Sequence, residues 1–143
     1  MSDVRTTLTI DAPPERVWAV LTDFAAYSQW NAVISKVRAE PREGAKIRFR
    51  IKFEATPEIG VAARLVRCAP GRELAWRGGA PLVPALAWGE HYFRLAPAGD
   101  GTLLIHGETF GGLLGLLMRG KLHARVTRTY DGFNQALKAR AEA

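Results

Sequence analysis

The sequence is poor in the residues that build redox and metal chemistry. One cysteine, Cys68, rules out an internal disulfide, and three histidines, His91, His106 and His123, leave little from which to assemble a metal site. No glycine-rich phosphate loop, no His-Glu-x-x-His, no paired cysteines and no nucleophile elbow occur. No metal and no cofactor are therefore expected. Long apolar runs are missing too. The longest, residues 80–88 and 113–118, fall well short of the ~20 residues that a membrane-crossing helix needs, so no integral membrane association is expected. The first residues alternate polar with apolar instead of forming an apolar signal core, which with the lone cysteine points to a cytoplasmic protein. Acidic residues are the minority, 14 against 20 Lys and Arg, and the resulting charge of +6 favours anionic partners without naming one.

What the chain does have is periodicity. At 143 residues it suits one domain, spanning 1–143. Val4, Thr6, Leu8 and Ile10 alternate with polar neighbours, as in a strand with one buried face. Pro13 and Pro14 then suit a first helical turn, and Val17, Trp18, Val20 and Leu21 form the stripe of a short helix, followed by a second short helix or turn from Asp23 to Trp30. Strands are expected over residues 33–40, 46–53, around 61–65 and around 74–76, then from about Glu90 to Leu95 and from 102 to 110. In the strand at 46–53, Ile47, Phe49, Ile51 and Phe53 face a core while Lys46, Arg48, Arg50 and Lys52 face water. With Arg64 and Arg77 these cations form a basic outer face. No aromatic residues are expected to interleave on that outward side, so a solvated surface is expected and no nucleic acid. After Gly111 and Gly112 the spacing of Leu122, Val126, Tyr130, Phe133 and Leu137 predicts a long helix, with residues 113–118 as a greasy start whose length and lack of flanking aromatics favour packing or gating over contact with a membrane.

The order of strand, two short helices, six strands and long helix is an α+β plan with an antiparallel sheet. That order, with the run from Ile10 to Phe24 and the later Tyr27-Ser28-Gln29-Trp30-Asn31, resembles the START-like, or SRPBCC, superfamily. The segments from Gly89 to Leu95, from Gly101 to Ile105 and from Gly107 to Leu113 resemble its bacterial polyketide cyclase/dehydrase-like members. The resemblance implies a helix-grip fold, with a curved seven-stranded antiparallel sheet around the long C-terminal helix and two short helices after strand 1. It also implies a deep cavity between sheet and helix. The superfamily includes aromatic cyclases, lipid and sterol carriers, quinone-binding proteins, hormone receptors and chaperone activators, so the fold leaves the function open.

Within such a cavity the polar candidates are His91, His106 and Glu108, because the alternation that turns Phe93, Leu95, Leu104 and Phe110 inward turns these inward as well. A hairpin closing at residues 98–101 sets Leu95 opposite Leu104, Phe93 opposite His106 and His91 opposite Glu108. The apolar candidates are Phe24 and Trp30 from the short helices, Phe49, Ile51 and Trp76 from the sheet, and Phe93 and Phe110 from the hairpin. Trp88 is expected at the mouth, and Leu117, Val126 and Tyr130 come from the helical end of the chain. The expected function is binding of a small hydrophobic molecule, aromatic, polyketide-like or lipid-like. The alternatives are a cofactor-independent cyclase or dehydratase that uses the His and Glu groups as acid and base, and a protein-interaction or chaperone-activator-like module. Oligomeric state is not legible.

Overall fold

The computed structural model describes residues 1–79 and 85–143. Seven strands form one antiparallel sheet: β1 (Ser2–Ile10), β2 (Ile34–Arg38), β3 (Lys46–Ile51), β4 (Ile59–Ala69), β5 (Glu73–Gly79), β6 (Ala87–Ala98) and β7 (Gly101–Gly111). Their order across the sheet is β1-β7-β6-β5-β4-β3-β2, so every neighbouring pair except β1 and β7 is consecutive in the chain. Helix α1 (Pro14–Thr22) and a 3-10 helix (Phe24–Gln29) follow β1, and α2 (Gly112–Leu117) and α3 (Gly120–Glu142) follow β7. The helix-grip α+β architecture is the one expected.

Local chemistry explains the main boundaries. Pro14 stands at the first helical position of α1, where a missing N–H leaves no bond unmade, and Val17, Val20 and Leu21 are buried. The β6–β7 hairpin closes through Gly99, whose φ of +60° suits glycine, and places Ala98 opposite Gly101. Leu95 therefore pairs with Leu104, Phe93 with His106 and His91 with Glu108, the register expected from alternation and turn length. On β3, Ile47, Phe49 and Ile51 are buried while Lys46 and Arg48 are exposed. On α3 the inward stripe is Val126, Thr129, Tyr130, Phe133, Asn134, Leu137 and Ala141.

Four expectations need correction. The closing helix is not continuous: Arg119 is extended and Gly120 takes a left-handed φ of +59°, so residues 113–118 belong mainly to a separate short helix and not to the start of α3. Leu122, placed on the buried stripe by spacing, is exposed, one turn beyond the covered length that begins at Val126. Strand β3 ends at Ile51, before Phe53, whose side chain still packs on the core. Strand β4 is longer than expected and carries a register shift between Leu65 and Arg67, after which Cys68 pairs with the buried Leu74. Cys68 is partly buried against the core, and burial pushes its thiol pKa up, the setting of a small hydrophobe and not of a reactive thiolate. The apolar stretch at residues 80–88 lies outside the described residues from 80 to 84, and its end, Ala87 and Trp88, belongs to β6.

Candidate functional site: a buried relay that ends at Glu108

The β6–β7 hairpin and α3 bring His91, His106, Glu108, Tyr130 and Asn134 together. His91 Nδ1 lies 3.1 Å from Glu108 Oε1, and His91 Nε2 lies 2.7 Å from His106 Nε2. His106 Nδ1 lies 2.6 Å from Asn134 Oδ1, and the Tyr130 hydroxyl donates to Glu108 Oε1. Asn134 Nδ2 donates to Thr6 Oγ1 at 2.8 Å, and the Thr6 hydroxyl donates to the His106 carbonyl at 2.7 Å.

The protons in this chain follow from its far end. A carbonyl can only accept, so the Thr6 hydroxyl must donate to it and must accept from Asn134. The Asn134 amide is thereby oriented with its oxygen toward His106, which requires a proton on His106 Nδ1. Burial pushes the His106 pKa well below its usual value, the neighbouring His91 adds to the effect, and the Asn134 bond only partly opposes them. His106 is accordingly neutral at ordinary pH, its Nε2 is a bare acceptor, and His91 must supply the proton between the two rings. One position then remains, between His91 Nδ1 and Glu108 Oε1, and it holds a single proton. That proton sits either on the carboxyl, leaving both partners neutral, or on the ring, making an ion pair. Burial first, and then the adjacent Glu108, push the Tyr130 pKa well above its usual value, so this phenol stays a donor.

The rings around the relay are packed against each other. Trp76 stacks on His91 at 4.8 Å, and His106 lies between Phe93 at 4.3 Å and Tyr130 at 4.7 Å. The interior expected as open is therefore filled by side chains at His106. The other end differs. His106 is wholly buried, whereas the Glu108 side chain keeps 17% of its surface exposed. Beyond Trp76 the inner face carries small residues: Gly78 pairs with Gly89, and a Cβ on Gly78 would lie 3.3 Å from the Cβ of Ala63. A Cβ on Gly89 would come within 2.2 Å of Glu108 Oε2, so only glycine at this position lets the carboxyl lie across β6.

The remaining candidates separate into groups. Phe49, which packs on Trp76 at 5.3 Å, Ile51, Phe110 and Val126 are buried in the same core. Trp30 is kept from the relay by Phe133, whose ring is 5.2 Å from Trp30 and 5.2 Å from His106. Phe24 packs on Tyr27 in that same region, and Trp30 also lines a separate hollow of about 260 Å³ with Arg16 and Arg140. Leu117 is exposed on α2. Trp88 sits on the opposite face of the sheet from His91, since it pairs with Gly111 three residues before His91, and its ring lies 3.9 Å beneath the Arg77 guanidinium. Tyr92 lies likewise beneath Arg94 at 4.2 Å, so aromatics do stand among the outer cations, each covered by an arginine. On that face Lys46, Arg48, Arg64 and Arg77 surround a shallow hollow of about 310 Å³.

Sequence reasoning missed Asn134 and Thr6. Both left a signal, a polar residue at an inward position of an otherwise apolar stripe. Among the described residues no group of three or more His, Cys, Asp or Glu side chains converges as metal ligands would, and no helix is long and apolar enough to cross a membrane.

A family model described as polyketide cyclase/dehydrase and lipid transport matches residues 1–142. No curated protein matches the sequence significantly. Among solved structures, the Zhui aromatase/cyclase from Streptomyces sp. R1128 is similar, with a TM-score of 0.77 and 22% identity over 99% of this chain and 93% of that one. The Aha1 dimer from Colwellia psychrerythraea gives a TM-score of 0.73 at 18% identity, covering 99% of this chain and 97% of that one. The di-domain ARO/CYC protein BexL of the BE-7585A biosynthetic pathway gives 0.75 at 18% identity, covering 99% of this chain and 50% of that longer one. At these identities the likenesses establish the fold alone.

Proposed function

Since the chain belongs to the polyketide cyclase/dehydrase and lipid transport family, we propose that it binds a small hydrophobic, ring-containing molecule between the sheet and α3, with a hydroxyl or carbonyl of that molecule at Glu108 and Tyr130. The observation that carries this reading is the asymmetry of the relay, which is closed and packed at His106 and partly exposed only at Glu108. An apolar surround with a few convergent polar groups is the usual make-up of a ligand site. Phe49, Ile51, Trp76, Phe93, Phe110 and Val126 supply the apolar surround, and Gly78 and Gly89 bring no side chain of their own to the inner face beside Glu108. Phe24, Trp30, Trp88 and Leu117 have no part in this version of the site.

A second reading is favoured by the single shared proton. A carboxyl that exchanges its proton with His91, beside a phenol that stays protonated, can take a proton from an activated carbon or hydroxyl and return it to a leaving oxygen. That is the acid–base work of a cofactor-independent cyclase or dehydratase, with Glu108 in contact with substrate and His91 and His106 behind it. In either reading the polar group of the ligand meets the same carboxyl.

A titration of the protein with 2-naphthol, followed through backbone amide resonances, tests the location. Shifts centred on Gly78, Gly89, Glu108 and Tyr130 are expected. Shifts confined to the hollow at Arg16, Trp30 and Arg140, or to the outer sheet face, would contradict the proposal.

A further inference from the structure

The exposed face of α2 is a surface feature that ligand binding leaves unexplained. Leu113, Leu116 and Leu117 share one side of this helix at spacings of three and four, and they are 58%, 62% and 55% exposed. Leu86, 65% exposed, joins them, because the Leu113 N–H donates to the Leu86 carbonyl at 2.7 Å. The opposite side of α2 is fixed to the fold. Gly115 is buried so tightly that a Cβ would come within 2.7 Å of the Phe110 carbonyl, and the Ser2 hydroxyl donates to the Gly115 carbonyl at 2.7 Å. The leucines thus point outward from a helix whose other side is held in place. A cluster of this kind, held facing water, marks an interaction site more often than chance exposure.

The charge beside the cluster narrows the partner. Arg119 Nε donates to the Leu116 carbonyl at 2.8 Å, which holds its guanidinium at the edge of the leucine face. Lys121 is exposed in the following turn, next to the exposed Leu122. Between Glu108 and Asp131 the sequence contains no acidic residue at all. Asp3, whose carbonyl lies 3.1 Å from His123 Nε2, has its carboxylate bonded to the Tyr92 and Thr109 hydroxyls. A two-fold contact between copies would bring this same cationic surface against itself. An anionic lipid surface answers both features, with acyl chains for the leucines and phosphates for the cations.

We propose that α2 and the first turn of α3 dock the protein peripherally on an anionic lipid bilayer, with Leu113, Leu116 and Leu117 at the acyl boundary and Arg119 and Lys121 at the lipid phosphates. The proposal rests on this surface alone and holds whether or not the interior site carries a ligand. Co-sedimentation of the full chain with vesicles tests it, using phosphatidylcholine alone and phosphatidylcholine containing about one third phosphatidylglycerol. Binding to the mixed vesicles is expected, with little to the neutral ones. Leu113→Gln/Leu116→Gln and, separately, Arg119→Glu/Lys121→Glu are each expected to weaken it by about tenfold or more. Unchanged thermal unfolding midpoints and an unchanged 2-naphthol titration in both variants separate loss of the docking face from loss of the fold or of the interior site. Absence of binding to the mixed vesicles, or undiminished binding by both variants, would overturn the proposal. So would concentration-dependent dimerisation that Leu113→Gln/Leu116→Gln abolishes, which would assign the face to a second copy.

Discussion

Replacing Asn134 with leucine is expected to destabilise the protein by about 3 kcal/mol, although leucine is an apolar residue of similar size with the better helix propensity. The side chain is buried and holds two groups that have no other partner for the same role among the described residues: it accepts from His106 Nδ1 and donates to Thr6 Oγ1. Leucine leaves a buried imidazole N–H unpaired and deprives the Thr6 oxygen of its donor, at roughly 1–3 kcal/mol for each group. The gain in helix propensity, on the order of a few tenths of a kcal/mol, does not offset this. In a chain of this size the loss corresponds to a fall in Tm of roughly 10 °C. Urea unfolding at neutral pH checks it, and a loss below about 1 kcal/mol would remove Asn134 from the relay.

The same buried histidine gives the native protein a pH dependence whose sign is fixed. The folded-state pKa of His106 lies well below that of the unfolded chain, near 6.5. Above that value neither state protonates the ring, and its contribution to stability is fully present. Below it the unfolded chain takes up a proton that the folded protein refuses, so stability declines as the pH falls from about 6.5 toward the depressed pKa, by at most about 1.4 kcal/mol per unit.

Changing Glu108 to glutamine is expected to weaken 2-naphthol binding by about 10- to 100-fold while leaving 2-methylnaphthalene binding nearly unchanged. Glutamine carries no charge, as in the neutral form of the site. His91 Nδ1 and the Tyr130 hydroxyl both meet Oε1, so an amide NH2 placed there donates to His91 Nδ1 and leaves the Tyr130 hydroxyl without its acceptor, a loss of roughly 1–3 kcal/mol that stops short of unfolding the protein. What is lost is the carboxylate, which can accept a charge-assisted bond from a ligand hydroxyl once its proton has passed to His91. Such bonds contribute about 1.5–3 kcal/mol, whereas a methyl group in the same place asks nothing of the carboxylate. Fluorescence titration of both proteins with both probes provides the comparison. Equal losses for the two probes would mean that Glu108 shapes the site without contacting the hydroxyl. A catalytic role predicts in addition that turnover of an acidic-carbon substrate falls with the naphthol affinity.

The parts of this molecule that were legible in sequence are those where a short-range rule acts alone. Alternation and a tight Gly99 turn determine the β6–β7 register, and with it the meeting of His91 and Glu108. The parity of β3 is equally plain, because its charges and its apolar residues never exchange places. The break at Gly120 was hidden because no proline marks it, and because the leucines before it continue a helical-looking pattern. Trp88 is expected at the mouth because it ends the apolar run, whereas counting residues back from His91 puts it on the outer face, where the Arg77 guanidinium covers its ring. The packing of His106 between Phe93 and Tyr130 depends on how closely α3 approaches the sheet, a distance that no local pattern encodes.

The central claim is that one shared proton links an occluded His106 to a Glu108 that receives the polar group of the ligand. Long-range ¹H–¹⁵N spectra of the histidine rings, recorded at neutral pH without and with saturating 2-naphthol, test it most directly. The account predicts His106 protonated on Nδ1 and bare on Nε2 in both samples, with the His91 ring nitrogens shifting on addition of the probe. A proton on His106 Nε2, or a His91 ring that does not respond to the bound probe, would contradict it.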